Sequence, residues 1–512
     1  MNHTDLPSFL QDAVDYRTIP VVQSYKIDTL TPIQVFSALK KQAVYILESS
    51  DRESDWSNYS FIGLNPLMTI EEENSLFVIK EKDGTVRFTS SDLPDIFRHL
   101  DQSLQIKLPE LPIPFRGGAV GYIGYDSISL FEKIPRHPDS RPADPMCRLA
   151  VCSTYIAMDH KNNQLYFVEF SFLNGKEQRQ ELEESFERAK NSISGLLAQL
   201  EHFDPVKELF LAFDQRGDVS FERVKTNMTK SEFIEKTKKI KGYISSGDVF
   251  QAVLSQRFEI PLYADGFELY RILRKVNPSP YLFYLKFGET EIVGSSPERL
   301  IHVQNGHLEI HPIAGTRKRG RNRQEDLELA ESLLADEKEK AEHLMLVDLA
   351  RNDVGRVAAY HSVKTENYME LTYFSHVMHL LSKVTGNIRE GIHPTEALLA
   401  SFPAGTVSGA PKIRAMEILQ ELEPTARNQY AGSIAYIGFD GNIDSCITIR
   451  TAVVKNQTAY VQAGAGIVAD SIPENEWEET RSKASALIKA IELANEQFGK
   501  EANYENHPIQ SR

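Results

Sequence analysis

The stretch Glu337–Val357, EKEKAEHLMLVDLARNDVGRV, decides how the chain is read. It is a long helical run in which Glu339 and Glu342 stand three residues apart and so share one face. Near the C-terminus, SIPENEWEETRSKA from Ser471 repeats that spacing with Glu476 and Glu479, and Lys483 follows one turn beyond. Ser471 and Glu474 make a capping-box pattern for this second helix. Around the two helices, glycine-bounded β-like runs alternate with further helices, which predicts mixed α/β layers. The spacing is not the regular βαβ repeat of a doubly wound sheet.

Working outward, Thr229 and Glu232 form a second capping box that predicts a helix through Ile244. A strand is expected over residues 249–260, a helix near 267–276, a hairpin over 281–294 and a strand ending at His311. Residues 20–200 alternate short β-like runs such as AVYIL (Ala43–Leu47) with turn clusters, interrupted by the glycine-rich GGAVGYIGYDSI from Gly117. A helix over 176–199 and a polar stretch over 202–227 then read as the end of a first domain and a linker. Two domains suit a chain of 512 residues.

The composition, 41% hydrophobic and 25% charged, is that of a globular protein. A formal net charge of −15 argues against a nucleic-acid partner, because phosphate binding rests on basic surface. The basic cluster Arg317–Arg323 reads as a solvated loop answered by the acidic run that follows. Cys147, Cys152 and Cys446 have no paired spacing, so no disulfide is expected. With no secretory leader and no apolar run of membrane-spanning length, the expected location is the cytoplasm.

The familiar catalytic signatures are missing. Gly405–Lys412, GTVSGAPK, lacks the glycine-lysine-hydroxyl order of a P-loop, and neither H-E-x-x-H nor G-x-S-x-G occurs. No G-x-C-x-G setting offers a glutaminase nucleophile, so ammonia drawn from glutamine would have to come from another chain. What remains is furniture for an anionic ligand. Two facing glutamate pairs could hold an oxygen-ligated Mg²⁺. Ser408 and Pro411 open a helix running to Leu422, whose free N–H groups could face a carboxylate. Gly464 and Gly466 let backbone amides approach a ligand, and Arg450 could fork onto a second carboxylate.

The ordered set SPER (296–299), PIAGTR (312–317), EHLMLVDLARND (342–353), SGAPK (408–412), IRTA (449–452) and QAGAGIVAD (462–470) resembles the chorismate-utilising enzymes, and among them the anthranilate synthase component I (large-subunit) family. The resemblance spans roughly residues 228–492, as a chorismate-binding catalytic domain. It extends into an N-terminal region, 20–200, through Leu47-Glu48-Ser49 and the glycine-rich segment. The fold it implies is an α+β layered α/β/β/α sandwich with mixed, mainly antiparallel sheets.

The resemblance also implies roles. Glu342 and Glu479 match Mg²⁺ ligands, with Glu339 and Glu476 as companions one turn earlier. Gly315, Thr316, Tyr430, Arg450, Gly464, Gly466 and Lys483 match positions that hold the carboxylates and ring of chorismate. Glu298 matches the general acid for departure of the C4 hydroxyl, and His379, in a run read as an apolar helix, the histidine of the later pyruvate elimination. Gln251 stands where relatives that add water carry a lysine base. Ala314, in HPIAGTRKRGR (311–321), stands where aminodeoxychorismate synthases commonly carry lysine, so its methyl group would leave external ammonia to add at C2.

Glu48, Ser49, Pro280, Tyr281 and Leu282 match a tryptophan-inhibition site lying between the sheets of the two regions, with Leu282 where several relatives have methionine. The implied partners are a glutamine amidotransferase subunit, in a heterotetramer of two large and two small chains, with chorismate as substrate and tryptophan as inhibitor. Aminodeoxychorismate synthase, a hydrating isochorismate or salicylate synthase, and a non-catalytic tryptophan-binding subunit are the competing expectations.

Overall fold

The computed structural model describes residues 3–50, 55–140, 145–211, 219–373 and 377–499. Within them the strands form one hydrogen-bonded network whose ladder pairings are antiparallel. Side chains on a strand alternate faces, and this sorts the apolar residues into layers. In Ser433–Gly438, Ile434 and Tyr436 join an aromatic-rich core with Phe61, Phe115, Tyr155 and Phe283, whereas Ala435 and Ile437 join a second core with Val347, Val354 and Leu398. In Gln164–Phe172, Tyr166 and Val168 enter the aromatic core, and Leu165 and Phe167 face a third with Phe186, Leu487 and Ile491. The aromatic core therefore lies between two sheets and the other two lie under helices, which is the expected α/β/β/α sandwich.

The N-terminal and C-terminal stretches build these sheets jointly. Tyr45–Glu48 pairs with Leu282–Leu285, and Gly118–Ile123 pairs with Ser433–Gly438. Among the described residues of the linker stretch, the regular element is Lys225–Thr226, which joins the edge of the strand Gln251–Pro261. The capping box at Thr229 and Glu232 forms and starts the helix Lys230–Ser245. Its counterpart at Ser471 does not form. Pro473 takes the first helical position of Pro473–Phe498, leaving Ile472 as cap and Ser471 one residue outside, where its hydroxyl accepts from Val468 N at 3.1 Å.

His379 requires a second correction, since it lies in the strand Val377–Asn387 and not in a helix. Met378, Leu380, Ser382 and Val384 point inward at every second residue, the period of a strand. The segment before His311 is likewise two strands, Arg299–Gln304 and His307–Ile310, joined as a hairpin. The three cysteines are buried and unpaired. Of the basic cluster, Arg319 is answered from the expected acidic run 325–331, by Asp326, whereas Arg317 pairs beyond it with Asp336 and Glu339. Among the described residues no helix is long and apolar enough to cross a membrane.

Candidate active site

The helices Glu337–Val357 and Pro473–Phe498 bring Glu342, Glu476 and Glu479 to one cavity of about 410 Å³. Gln251, Val253, Thr406, Gly466, Asp470, Lys338 and Lys483 are among its other walls. Burial raises the pKa of Glu342, and the like charges of Glu339 and Glu479 add to the shift, against Lys338 and Lys483. Burial and Glu479 raise Glu476 in the same direction. Carboxylates that raise one another's pKa in a shared cavity suit a divalent cation. As placed, no three His, Cys, Asp or Glu side chains among the described residues converge on one point. An ion held by Glu342 and Glu479 would complete its shell with water and a ligand carboxylate, the usual habit of Mg²⁺.

Lys483 Nζ lies 2.6 Å from Glu479 and donates to Gly464 O at 3.0 Å. Both glycines of the strand Thr458–Ile467 are there for space. A Cβ on Gly464 would meet the Tyr430 hydroxyl at 2.9 Å and Val253 at 3.0 Å, and one on Gly466 would collide with the Gln251 amide. Tyr430 is buried, which raises its pKa to about 12, and Arg450 lies within electrostatic reach of it. Arg450 holds a left-handed backbone, φ 50°, a conformation uncommon for a non-glycine residue. Burial lowers its pKa, while Tyr430, Glu298 and Glu479 counteract.

Glu298 faces a smaller adjoining cavity of about 40 Å³ with Pro312, Gly405 and Ile447, and Thr406 lines both spaces. Burial raises the pKa of Glu298, and the neighbouring Thr406 hydroxyl, Arg450 and Lys483 offset part of the rise. The result is a carboxyl group biased toward its protonated form.

His379 belongs to a neighbouring cluster. Its Nδ1 donates to Gly315 O at 2.8 Å, which assigns the proton of the neutral ring to Nδ1. Gly315 forms a bulge with φ 66°, and a Cβ there would press on Leu333 at 3.0 Å and Glu339 at 3.3 Å. Glu339 is held by Arg317 at 3.1 Å and does not line the 410 Å³ cavity. Ala314 is buried opposite Leu380 and does not line that cavity either. The Thr316 backbone pairs with His379, and its side chain lies outside the described residues. The helix running to Leu422 begins at Lys412 with Pro411 as its cap, and Ser408 lies outside it, where its hydroxyl donates to Ala404 O at 2.8 Å.

Thr406 was invisible to sequence reasoning. It sits two residues before the SGAPK motif, and the only signal for it is that adjacency.

A third cavity, about 560 Å³, lies between the sheets. Leu47, Ser49, Pro280, Tyr281 and Leu282 line it with Phe61, Phe283 and Tyr436. Glu48 also borders it, but its carboxylate is already engaged, accepting from Tyr270 at 2.5 Å and Arg274 at 2.7 Å. Those two bonds also tie it to the helix Gly266–Val276.

The chorismate binding enzyme family matches residues 45–489. Among curated relatives, anthranilate synthase component 1 of Bacillus subtilis (strain 168) is 53% identical, covering 97% of this chain and 96% of its own. That of Aquifex aeolicus (strain VF5) is 44% identical over 94% of this chain and 96% of its own. The crystal structure of anthranilate synthase component I from Streptococcus pneumoniae TIGR4 superposes with a TM-score of 0.72 at 38% identity, covering 90% of this chain and 98% of that one. The menaquinone-specific isochorismate synthase MenF of Escherichia coli, 19% identical with a TM-score of 0.67 over 95% of this chain and 98% of that one, shares the fold. The chain belongs to the chorismate-binding enzymes, in the branch of anthranilate synthase component 1.

Proposed function

We propose that the chain converts chorismate and ammonia to anthranilate and pyruvate, with Mg²⁺ held by Glu342 and Glu479 and with ammonia supplied by a glutamine amidotransferase subunit. The observation that carries this reading is the placement of Glu298, half-buried and with its pKa raised, facing a small cavity that shares Thr406 with the carboxylate-lined cavity containing Gln251. Bound Mg²⁺ would neutralise the ring carboxylate of chorismate and fix it between the two helices.

Lys483, on the cavity wall, and Arg450, within electrostatic reach of Glu298 and Glu479, would supply the cations for the substrate's two carboxylates, and Gly464 and Gly466 leave the space that the Tyr430 hydroxyl and the Gln251 amide take up. Glu298 donates its proton to the departing C4 hydroxyl as ammonia adds at C2. Gln251 cannot serve as a base for activating water, whereas ammonia arrives with its own lone pair. The neutral His379, with its proton on Nδ1, presents Nε2 as the basic nitrogen for the later loss of the C2 proton and release of pyruvate.

Incubation of the purified chain with chorismate, Mg²⁺ and an ammonium salt is expected to yield fluorescent anthranilate and pyruvate. Aminodeoxychorismate, isochorismate or unchanged chorismate as the outcome would refute the reading.

The inter-sheet cavity is the site at which tryptophan would inhibit. Aromatic walls and a volume of about 560 Å³ admit an indole, and the strands flanking it run on toward the catalytic side at Glu298. Ser49→Phe fills the space beside Pro280 and Leu282. It should raise the tryptophan concentration for half-inhibition at least about tenfold while leaving turnover without tryptophan intact. An unchanged inhibition curve would remove Ser49 from the site.

A further inference from the structure

Behind the catalytic cavity lies a second polar space of about 270 Å³, bordered by Arg257, Lys455, Thr448 and Gln462. The two spaces share one face of the paired strands Gln251–Pro261 and Thr458–Ile467. Gln251, Val253 and Gly466 border the catalytic side, and Arg257, Glu259, Tyr460 and Gln462 the other.

Between them stands the guanidinium of Arg427, 3% exposed and paired with Glu423, 6% exposed. Arg427 Nε and Nη2 donate to the two Glu423 oxygens at 2.7 Å each. Glu423 also accepts from Ser255 N at 2.9 Å and Ser255 Oγ at 2.7 Å, and Gln462 Nε2 donates to that hydroxyl at 2.8 Å.

The remaining donors of Arg427 are spent on walls of the catalytic cavity. Nη2 donates to Val253 O at 2.6 Å, on the residue that lines the cavity opposite Gly466, and Nη1 to Val407 O at 2.7 Å, next to Thr406. The guanidinium lies 4.5 Å from the Tyr125 ring centroid and 5.6 Å from that of Tyr430, and Tyr430 N donates back to Arg427 O at 3.1 Å. One planar group thus fixes the strand under the substrate, the turn carrying Thr406 and the ring of Tyr430.

We propose that Arg427 is a positioning residue for the reaction. It sets the mutual placement of Val253, Thr406 and Tyr430 through a fork that a point charge cannot reproduce, and it closes the catalytic cavity against the polar space behind it. This role rests on the reaction proposed above. Removing Arg427 alone strands the Glu423 carboxylate in the core, so a loss of folding in Arg427→Met would not separate positioning from stability. Two other variants do. Arg427→Lys keeps a cation beside Glu423 but cannot reach both carbonyls, and Arg427→Met with Glu423→Gln removes both charges together.

Ammonium-dependent turnover is read per folded molecule, with folding monitored by near-ultraviolet circular dichroism and melting. Both variants should fold. Each should lose about tenfold or more in kcat, with the KM for chorismate within about threefold, the split expected of misplaced groups and not of lost binding. A kcat within about twofold of the unaltered chain in either folded variant overturns the proposal. So does a loss confined to KM, or failure of both variants to fold, which would make Arg427 purely structural. If the unaltered chain makes no anthranilate, the proposed reaction falls, and this role with it. Normal turnover of the unaltered chain with unimpaired variants overturns the role of Arg427 alone.

Discussion

Glu342→Gln should lower anthranilate formation by roughly 10²-fold or more at saturating chorismate and Mg²⁺, with the folded state retained. The amide keeps the size of the side chain but loses the charge that would hold the cation. If bound Mg²⁺ supplies about 3 kcal/mol of charge stabilisation, its loss is worth a little over two powers of ten. Stability should not fall with it. Burial and the repulsion of Glu339 and Glu479 already penalise an ionised Glu342, and the substitution removes that penalty. Turnover with the half-saturating Mg²⁺ concentration, measured beside a melting curve, separates the two effects. Near-normal turnover at limiting Mg²⁺ would take Glu342 out of the metal site.

The second large effect is at Glu298. Glu298→Gln should reduce kcat by roughly 10²- to 10⁴-fold, the range over which a positioned proton donor acts. Chorismate binding should persist, because the carboxylate-holding groups are on other strands and helices.

The pH dependence has a definite sign. The folded pKa of Glu298 is raised, chiefly by burial. The protonated, active form therefore prevails below that raised value, and turnover should fall as pH rises through it. The amide abolishes this limb. The same shift bears on stability: ionisation of Glu298 weakens the fold as pH rises through the raised pKa, so the Gln variant should melt no lower than the unaltered chain at neutral pH. A pH–rate profile identical in shape and height to that of the unaltered chain would exclude Glu298 as the acid.

Local periodicity made the helices with Glu342 and Glu479 legible, since glutamates three apart share a face whatever the helix packs against. That the two faces meet at one cavity depends on long-range pairing of strands, which no local pattern records. The same limit accounts for the misreadings. His379 lies in an apolar run too short for its period to be told by eye, and only pairing with Ile313–Lys318 settles it as strand. At Ser471 a valid capping signal lost to Pro473, two residues further on, which moves the cap to Ile472. Glu48 borders the inter-sheet cavity with the other residues that the resemblance singled out, and its bonds to Tyr270 and Arg274, more than two hundred residues away in the chain, are equally beyond any local pattern. Arg427 and Glu423 stand four apart in the chain, a spacing that carries no sign of burial. Their burial follows from Tyr125, Val253 and Val407 closing over them.

The central claim is amination of chorismate at C2 in the cavity between Glu342 and Glu479, and isotope placement tests it most directly. The purified chain is given ¹⁵N-labelled ammonium, chorismate and Mg²⁺, and the product is examined by nuclear magnetic resonance. The ¹⁵N is expected on the ring carbon adjacent to the one bearing the carboxylate, with pyruvate released in equal amount. Label on the carbon para to the carboxylate, or an unlabelled product hydroxylated at C2, would contradict it.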